Sequence, residues 1–194
     1  MDSFTYSPLM KIVEECLLKK HLNEILQKGF TPMMDQLKIA DLRRLYTLCD
    51  RVGSLDLVRE SLSAYVKHKA GDYVMDDKND SQMVQNLINL KANIDKVVAE
   101  CFDDKESFHG SLKEAFEYSI NLRQNRPAEL VAKYIDSKLR SGNKGGAGDE
   151  ELETILDGVL VIFRYISGKV SDPSLLPLVT LPSSLRLSFA FSTN

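Results

Sequence analysis

Cysteine is scarce in this chain: Cys16, Cys49 and Cys101 are the only three in 194 residues. They are too few and too widely spaced for a disulfide framework, and an odd count fits a reducing compartment. An excess of positive charge is missing too. With 25 basic against 28 acidic residues the formal net charge is -3, so no global basic field exists to hold a nucleic-acid backbone or an anionic membrane. Nor does any stretch approach the ~18 to 20 continuous apolar residues that a membrane-spanning helix requires. At the N-terminus Asp2 stands where a signal peptide carries basic residues, and charges interrupt the apolar residues that follow. Together these absences predict an intracellular protein with no nucleic acid and no membrane among its partners. The sequon Asn79-Asp80-Ser81 has no consequence without a secretory route.

Recognisable catalytic chemistry is lacking as well. His21, His68 and His109 fall on separate predicted helices, and none belongs to an HExxH arrangement or lies beside a Cys-x-x-Cys pair. The run from Gly142 to Gly148 is rich in glycine, but Lys144 precedes Gly145, Gly146 and Gly148 and the run follows a helix. A phosphate-binding loop needs its lysine after the glycines, at a helix start that follows a strand, so the run reads as a flexible linker. Glu14, Glu15, Glu150, Glu151 and Glu153 are neighbours on amphipathic helices, with nothing to drive their proton affinities apart as acid-base chemistry requires. Arg126, Lys133, Lys138, Arg140 and Lys144 lack interleaved aromatics apart from Tyr134 and read as a solvated face. Each cysteine falls on an apolar helical face, where it acts as a small hydrophobe. No catalytic, cofactor-binding or metal-ligating residue is assigned, and no cofactor is expected.

What the chain does have is 43% hydrophobic residues, enough for a core, arranged at helical spacing. Ser7-Pro8 opens a helix over Leu9, Ile12, Val13, Cys16, Leu17, Ile25 and Leu26, ending before Gly29. Thr31-Pro32 starts a short one with Met33, Met34 and Leu37, and Asp41 starts another with Leu42, Leu45, Tyr46, Leu48 and Cys49. Gly53-Ser54 separates it from Leu55, Val58, Leu62, Tyr65 and Val66, a pattern that Gly71 would break. After Asp80 or Ser81, the residues Met83, Leu87, Leu90, Ile94, Val97 and Cys101 alternate by four and three, widened by Val84, Ile88 and Val98. Ser107 caps Phe108, Leu112, Ala115, Phe116 and Ile120. Arg126-Pro127 leads into Leu130, Val131, Tyr134, Ile135 and Leu139, and the loop from Ser141 ends that helix. Asp149, Glu150, Glu151 and Glu153 place acid in a first turn ahead of Leu152, Ile155, Leu156, Val159, Phe163 and Ile166. No strand-type alternation precedes residue 170, so the fold class is all-α, with about eight helices joined by short connections. Residues 170–194 carry Pro173, Pro177 and Pro182 and many serines, and are expected to form a disordered tail.

Several of these stretches resemble one family. Arg126-Pro127-Ala128-Glu129-Leu130, Asp136 to Arg140, Gly142-Asn143-Lys144, Glu150 to Glu153 and Phe163-Arg164-Tyr165-Ile166 resemble the cullins, in particular the cullin-4 type associated with a DNA-damage-binding adaptor. Upstream, Pro8-Leu9, the run from Leu17 to Leu26, Asp41-Leu42 through Leu48, and Met83-Val84 resemble the last helical repeat of a cullin arm. The resemblance covers about residues 7–169, in the family's order.

The resemblance implies a scaffold for ubiquitin transfer. In cullins an arm of three helical repeats holds a substrate-receptor adaptor at one end, and a globular end holds a RING-box subunit. Donor and acceptor are brought together, and the scaffold supplies no nucleophile. On this likeness residues 7–125 are most of the third repeat, 126–169 the start of the four-helix bundle, and 170–194 a divergent tail. The family's adaptor-binding surface, RING-binding sheet and modified lysine have no counterpart here. The expectation is therefore a partial, non-catalytic scaffold of a cullin-RING ubiquitin ligase, nuclear and cytoplasmic by family, with a decoy or assembly modulator of full-length cullin, or a non-functional product, as the alternative. Helix faces that a longer cullin would cover are expected to be exposed, giving self-association.

Overall fold

A computed structural model describes Leu9 and residues 12–145 and 149–166 of the chain. Among the described residues there are seven α-helices and no strand: α1 (Leu22–Asp35), α2 (Ile39–Arg51), α3 (Leu55–Met75), α4 (Asp80–Cys101), α5 (Glu106–Ile120), α6 (Arg126–Gly145) and α7 (Asp149–Arg164). A π-helical stretch, Glu14–Lys19, precedes α1, and a single 3-10 turn, Asp77–Asn79, precedes α4. None of the helices is long and apolar enough to cross a membrane. The expected start at Ser7-Pro8, residues 146–148 of the glycine run and the tail at 170–194 lie outside the described residues.

The expected break at Gly29 to Pro32 is not there. α1 runs through both residues, and Leu22, Leu26, Phe30 and Met34, spaced by four, are all buried. Interior glycine and proline cost about 1 and 3 kcal/mol, and burying Phe30 and Met34 returns about 1.5 to 3 kcal/mol each. Tertiary burial therefore offsets the breakers, and the discontinuity falls instead at Lys20 and His21, where the π-helical stretch ends. Leu37, expected on a short helix, closes the C-terminus of α1 in a left-handed turn with φ 47°. Its N–H donates to the Met34 carbonyl, and the Lys38 N–H donates to that of Met33. Gly53, at φ 63°, closes α2 by the same pattern, with Gly53 N–H on Asp50 and Ser54 N–H on Cys49.

Other expected boundaries also move. Asp41 sits inside the first turn of α2, where its charge suits the helix dipole, and Lys38 holds the cap position. α3 continues past Gly71 to Met75 because Val58, Leu62, Val66, Ala70 and Val74 keep one face buried at every fourth residue. Ser107 lies within α5 and does not cap it; the chain enters through Lys105, whose carbonyl accepts from the Phe108 N–H. The helix α6 carries on through Ser141 to Gly145, beyond the expected loop start.

The described residues fall into two compact units, those within Met1–Lys67 and Ala92–Ala115, and those within His68–Lys91 and Phe116–Asn194. In the first, α1 packs on α2, and Tyr46, Phe102 and Phe108 form an aromatic cluster in its core. In the second, α6 packs on α7. Gly158 of α7 lets α4 approach closely: a Cβ there would lie 3.1 Å from Ile88 Cγ2. Tyr165, just past α7, stacks on Phe116 at 5.4 Å, and its carbonyl accepts from Asn121 Nδ2 at 2.9 Å.

Candidate functional site

Polar groups from distant segments converge at two places among the described residues, one in each unit. In the first unit the Tyr46 ring lies 5.5 Å from Phe102 and 6.3 Å from Phe108. The Lys105 ammonium sits 5.2 Å from the Tyr46 ring centroid, within cation-π range, and 3.6 Å from Asp50. No hydrogen bond of good geometry reaches the buried Tyr46 hydroxyl among the described residues, although Lys105 and Asp103 face it. Burial pushes its pKa up, with Lys105 opposing and Asp103 reinforcing. Nearby, Arg43 donates from Nε and Nη2 to the Glu100 carbonyl at 2.9 and 2.5 Å, a cation on the C-terminal end of α4. Cys101 Sγ donates to the Ile39 carbonyl at 3.5 Å.

In the second unit a single carboxylate gathers two arginines. Arg123 Nη1 donates to Asp80 Oδ1 at 2.7 Å, and Arg126 donates to Oδ2 from Nη2 at 2.6 Å and Nε at 2.9 Å. Arg123 also reaches the Val74 carbonyl at 2.9 Å and Asp77 at 2.8 Å, and Arg126 reaches Glu129 at 2.7 Å. The Asp80 side chain is only 15% exposed. Hydrogen bonds from Arg123 and then Arg126 hold its carboxyl below the ordinary carboxylate range, and the Asp80 carboxylate in turn raises Arg126. Alongside, Tyr134 donates its hydroxyl to Gln85 Oε1 and carries Lys138 5.3 Å from its ring centroid.

These arrangements hold helices; they do not assemble a nucleophile with a base. Burial lifts the Cys49 thiol to about 11 and also raises Cys101, so both stay protonated and unreactive. Cys16, expected on an apolar face, is exposed. His21 is exposed at the start of α1, His68 lies 3.0 Å from Asp72, and His109 lies 2.6 Å from Asp104, each on its own segment. Among the described residues no group of three or more His, Cys, Asp or Glu side chains could hold a metal ion. A depression of about 260 Å³ is lined by Tyr73, Asp76, Asn79, Gln82 and Asn86. The Asp76 carboxylate there is occupied by the Lys78 N–H and Asn79 Nδ2.

The basic run read as a solvated face is largely paired: Lys133 with Glu129, Arg140 with Asp136, and Arg126 with Asp80 and Glu129. Sequence reasoning missed the Asp80 cluster. Its only signal was two arginines flanking a loop, since the carboxylate they share lies more than 40 residues upstream.

A family model, the cullin alpha solenoid domain, matches residues 1–171. The chain is 45% identical to Cullin-4A of Mus musculus over 170 residues and 44% identical to Cullin-4A of Homo sapiens over the same length. Each alignment takes in 87% of this chain and 22% of the relative. Cullin-4 of Dictyostelium discoideum is 38% identical over 169 residues, 87% of this chain and 21% of the relative. The chain thus spans about a fifth of the length of the curated relatives it matches.

Proposed function

The chain belongs to the cullin family, and from that premise we propose that it is part of the scaffold subunit of a cullin-RING ubiquitin ligase. In this reading it carries no nucleophile and acts by holding donor and acceptor near each other. Residues 7–125 are most of the last helical repeat of the arm, and residues 126–169 are the opening of the globular end. The observation that carries the reading is the cullin match running unbroken through α1 to α7, on a molecule whose polar clusters join helices. The partners of such a scaffold are the DNA-damage-binding adaptor and the RING-box subunit, in nucleus and cytoplasm, which in this reading bind parts of a cullin outside the stretch that residues 7–169 resemble.

Tagging the protein at its own locus and recovering its associates tests this. Co-precipitation of both adaptor and RING-box subunit is the expected result for a working scaffold. Recovery of one or neither would overturn it in favour of a decoy or assembly modulator of longer cullins.

A further inference from the structure

Between α5 and α6 the chain turns at Asn125, a non-glycine residue in the left-handed region at φ 60°, and Arg126 then begins α6. Two arginines bracket that turn, Arg123 before it and Arg126 after it, and both are fastened to Asp80, the first residue of α4. Each takes a different oxygen of the same carboxylate, Oδ1 for Arg123 and Oδ2 for Arg126. Arg123 adds the Val74 carbonyl, in the last turn of α3, so the segment before the turn is tied to two helix ends at once. We propose that the Asp80 carboxylate is a clasp on a hinge at Asn125, fixing the direction in which α6 leaves the turn.

The argument is one of degrees of freedom. Rotation about the Asn125 φ and ψ angles swings α6 relative to the segment before it, and such hinges are a few loop or element-terminal residues that absorb a dihedral change. Any such rotation moves Arg126 relative to Arg123, and a carboxylate bonded to both resists it. Carboxylate-guanidinium pairs are directional, and here the carboxylate and Arg123 are largely withdrawn from water while Arg126 is about one-third exposed, so they hold a geometry as well as a charge balance. The other polar ties of Arg126 and Glu129, to each other and to Lys133, lie within α6 and cannot fix its direction, and Tyr134 on Gln85 ties α6 to α4 further from the turn. Asparagine at position 80 would present one acceptor oxygen and turn an N–H toward the second arginine.

Spin labels on Asn89→Cys and Ser137→Cys, two exposed positions on α4 and α6, read the angle in the full chain in a Cys16→Ser background. The parent is expected to give one narrow distance distribution, and Asp80→Asn one about twofold broader as minor orientations become populated. Asp80→Glu, which keeps two acceptor oxygens, is expected to stay nearer the parent. A distribution in Asp80→Asn as narrow as the parent's, at unchanged helix content, would overturn the clasp. Should Asp80→Asn fail to fold, Arg126→Gln decides instead, because it leaves Arg123 on the carboxylate. Broadening in Arg126→Gln supports the clasp, and an unchanged width refutes it.

Discussion

Tyr46 places a hydroxyl in an aromatic cluster that gives it no hydrogen bond among the described residues. A buried hydroxyl that faces Lys105 and Asp103 without a well-formed hydrogen bond regains little of the water it gave up, whereas its ring packs on Phe102 and Phe108. Tyr46→Phe is therefore expected to leave stability unchanged or raise it by up to about 1 kcal/mol, and Tyr46→Ala to lower it by about 3 kcal/mol or more. Urea denaturation of both variants checks this; a large loss in Tyr46→Phe would mean the hydroxyl does have a partner. Asp80 shows the opposite case, a polar group whose partners are complete. Because its folded pKa is depressed by the two arginines, it stabilises the fold above its unfolded pKa of about 4, and the contribution fades as pH falls through the lower folded value. Thermal melts of parent and Asp80→Asn should differ most near neutral pH and draw together progressively as pH falls below about 4. A gap that stays constant down to pH 2 would contradict the assignment. Neither residue's role was readable from the sequence. Tyr46 was recognisable as core, but whether its hydroxyl meets a partner depends on Phe102, Lys105 and Asp103, more than 50 positions away.

At the scale of elements, periodicity was legible and punctuation was not. The stripe Met83, Leu87, Leu90, Ile94, Val97, Cys101 and the stripe Phe108, Leu112, Ala115, Phe116, Ile120 are buried as their spacing required. Gly29, Pro32 and Gly71 were misleading because local cost is small beside the burial of residues on either side of them. Leu37 was missed for the complementary reason: a left-handed closure is ordinarily marked by glycine, and here the closing turn uses leucine. Gly53 is the case where the marker is true. A Cβ there would meet nothing within 4 Å, so the only penalty for adding one is the backbone conformation at φ 63°. Gly53→Ala should cost about 1 to 2 kcal/mol, the left-handed penalty of an L-residue. Equilibrium denaturation measures it; a neutral result would show that the turn between α2 and α3 relaxes to another closure.

For the whole molecule, fold class and family were legible because both are written in patterns that need no knowledge of tertiary distance. The links between segments were not, since Arg43 on Glu100, Arg123 on Val74 and Tyr134 on Gln85 join positions far apart in sequence. Each unit also leaves large apolar side chains in water: Leu9, Ile12, Val13 and Ile25 in the first, and Met75, Tyr118 and Leu122 in the second. Met75 and Tyr118 are 58% and 59% exposed, well beyond what a side chain at the edge of a core shows. Exposed apolar groups favour association, since contact removes them from water at about 25 cal/mol per Å². The isolated 194-residue chain is therefore expected to elute in size-exclusion chromatography with light scattering as a species heavier than its 21.9 kDa monomer, with the excess growing with concentration. Met75→Ser with Tyr118→Ser should shift it toward monomer while leaving helix content intact, because both side chains are more than half exposed. A clean monomer at high concentration that binds no apolar dye would mean that these side chains are already covered, and the double variant would then have no effect to show.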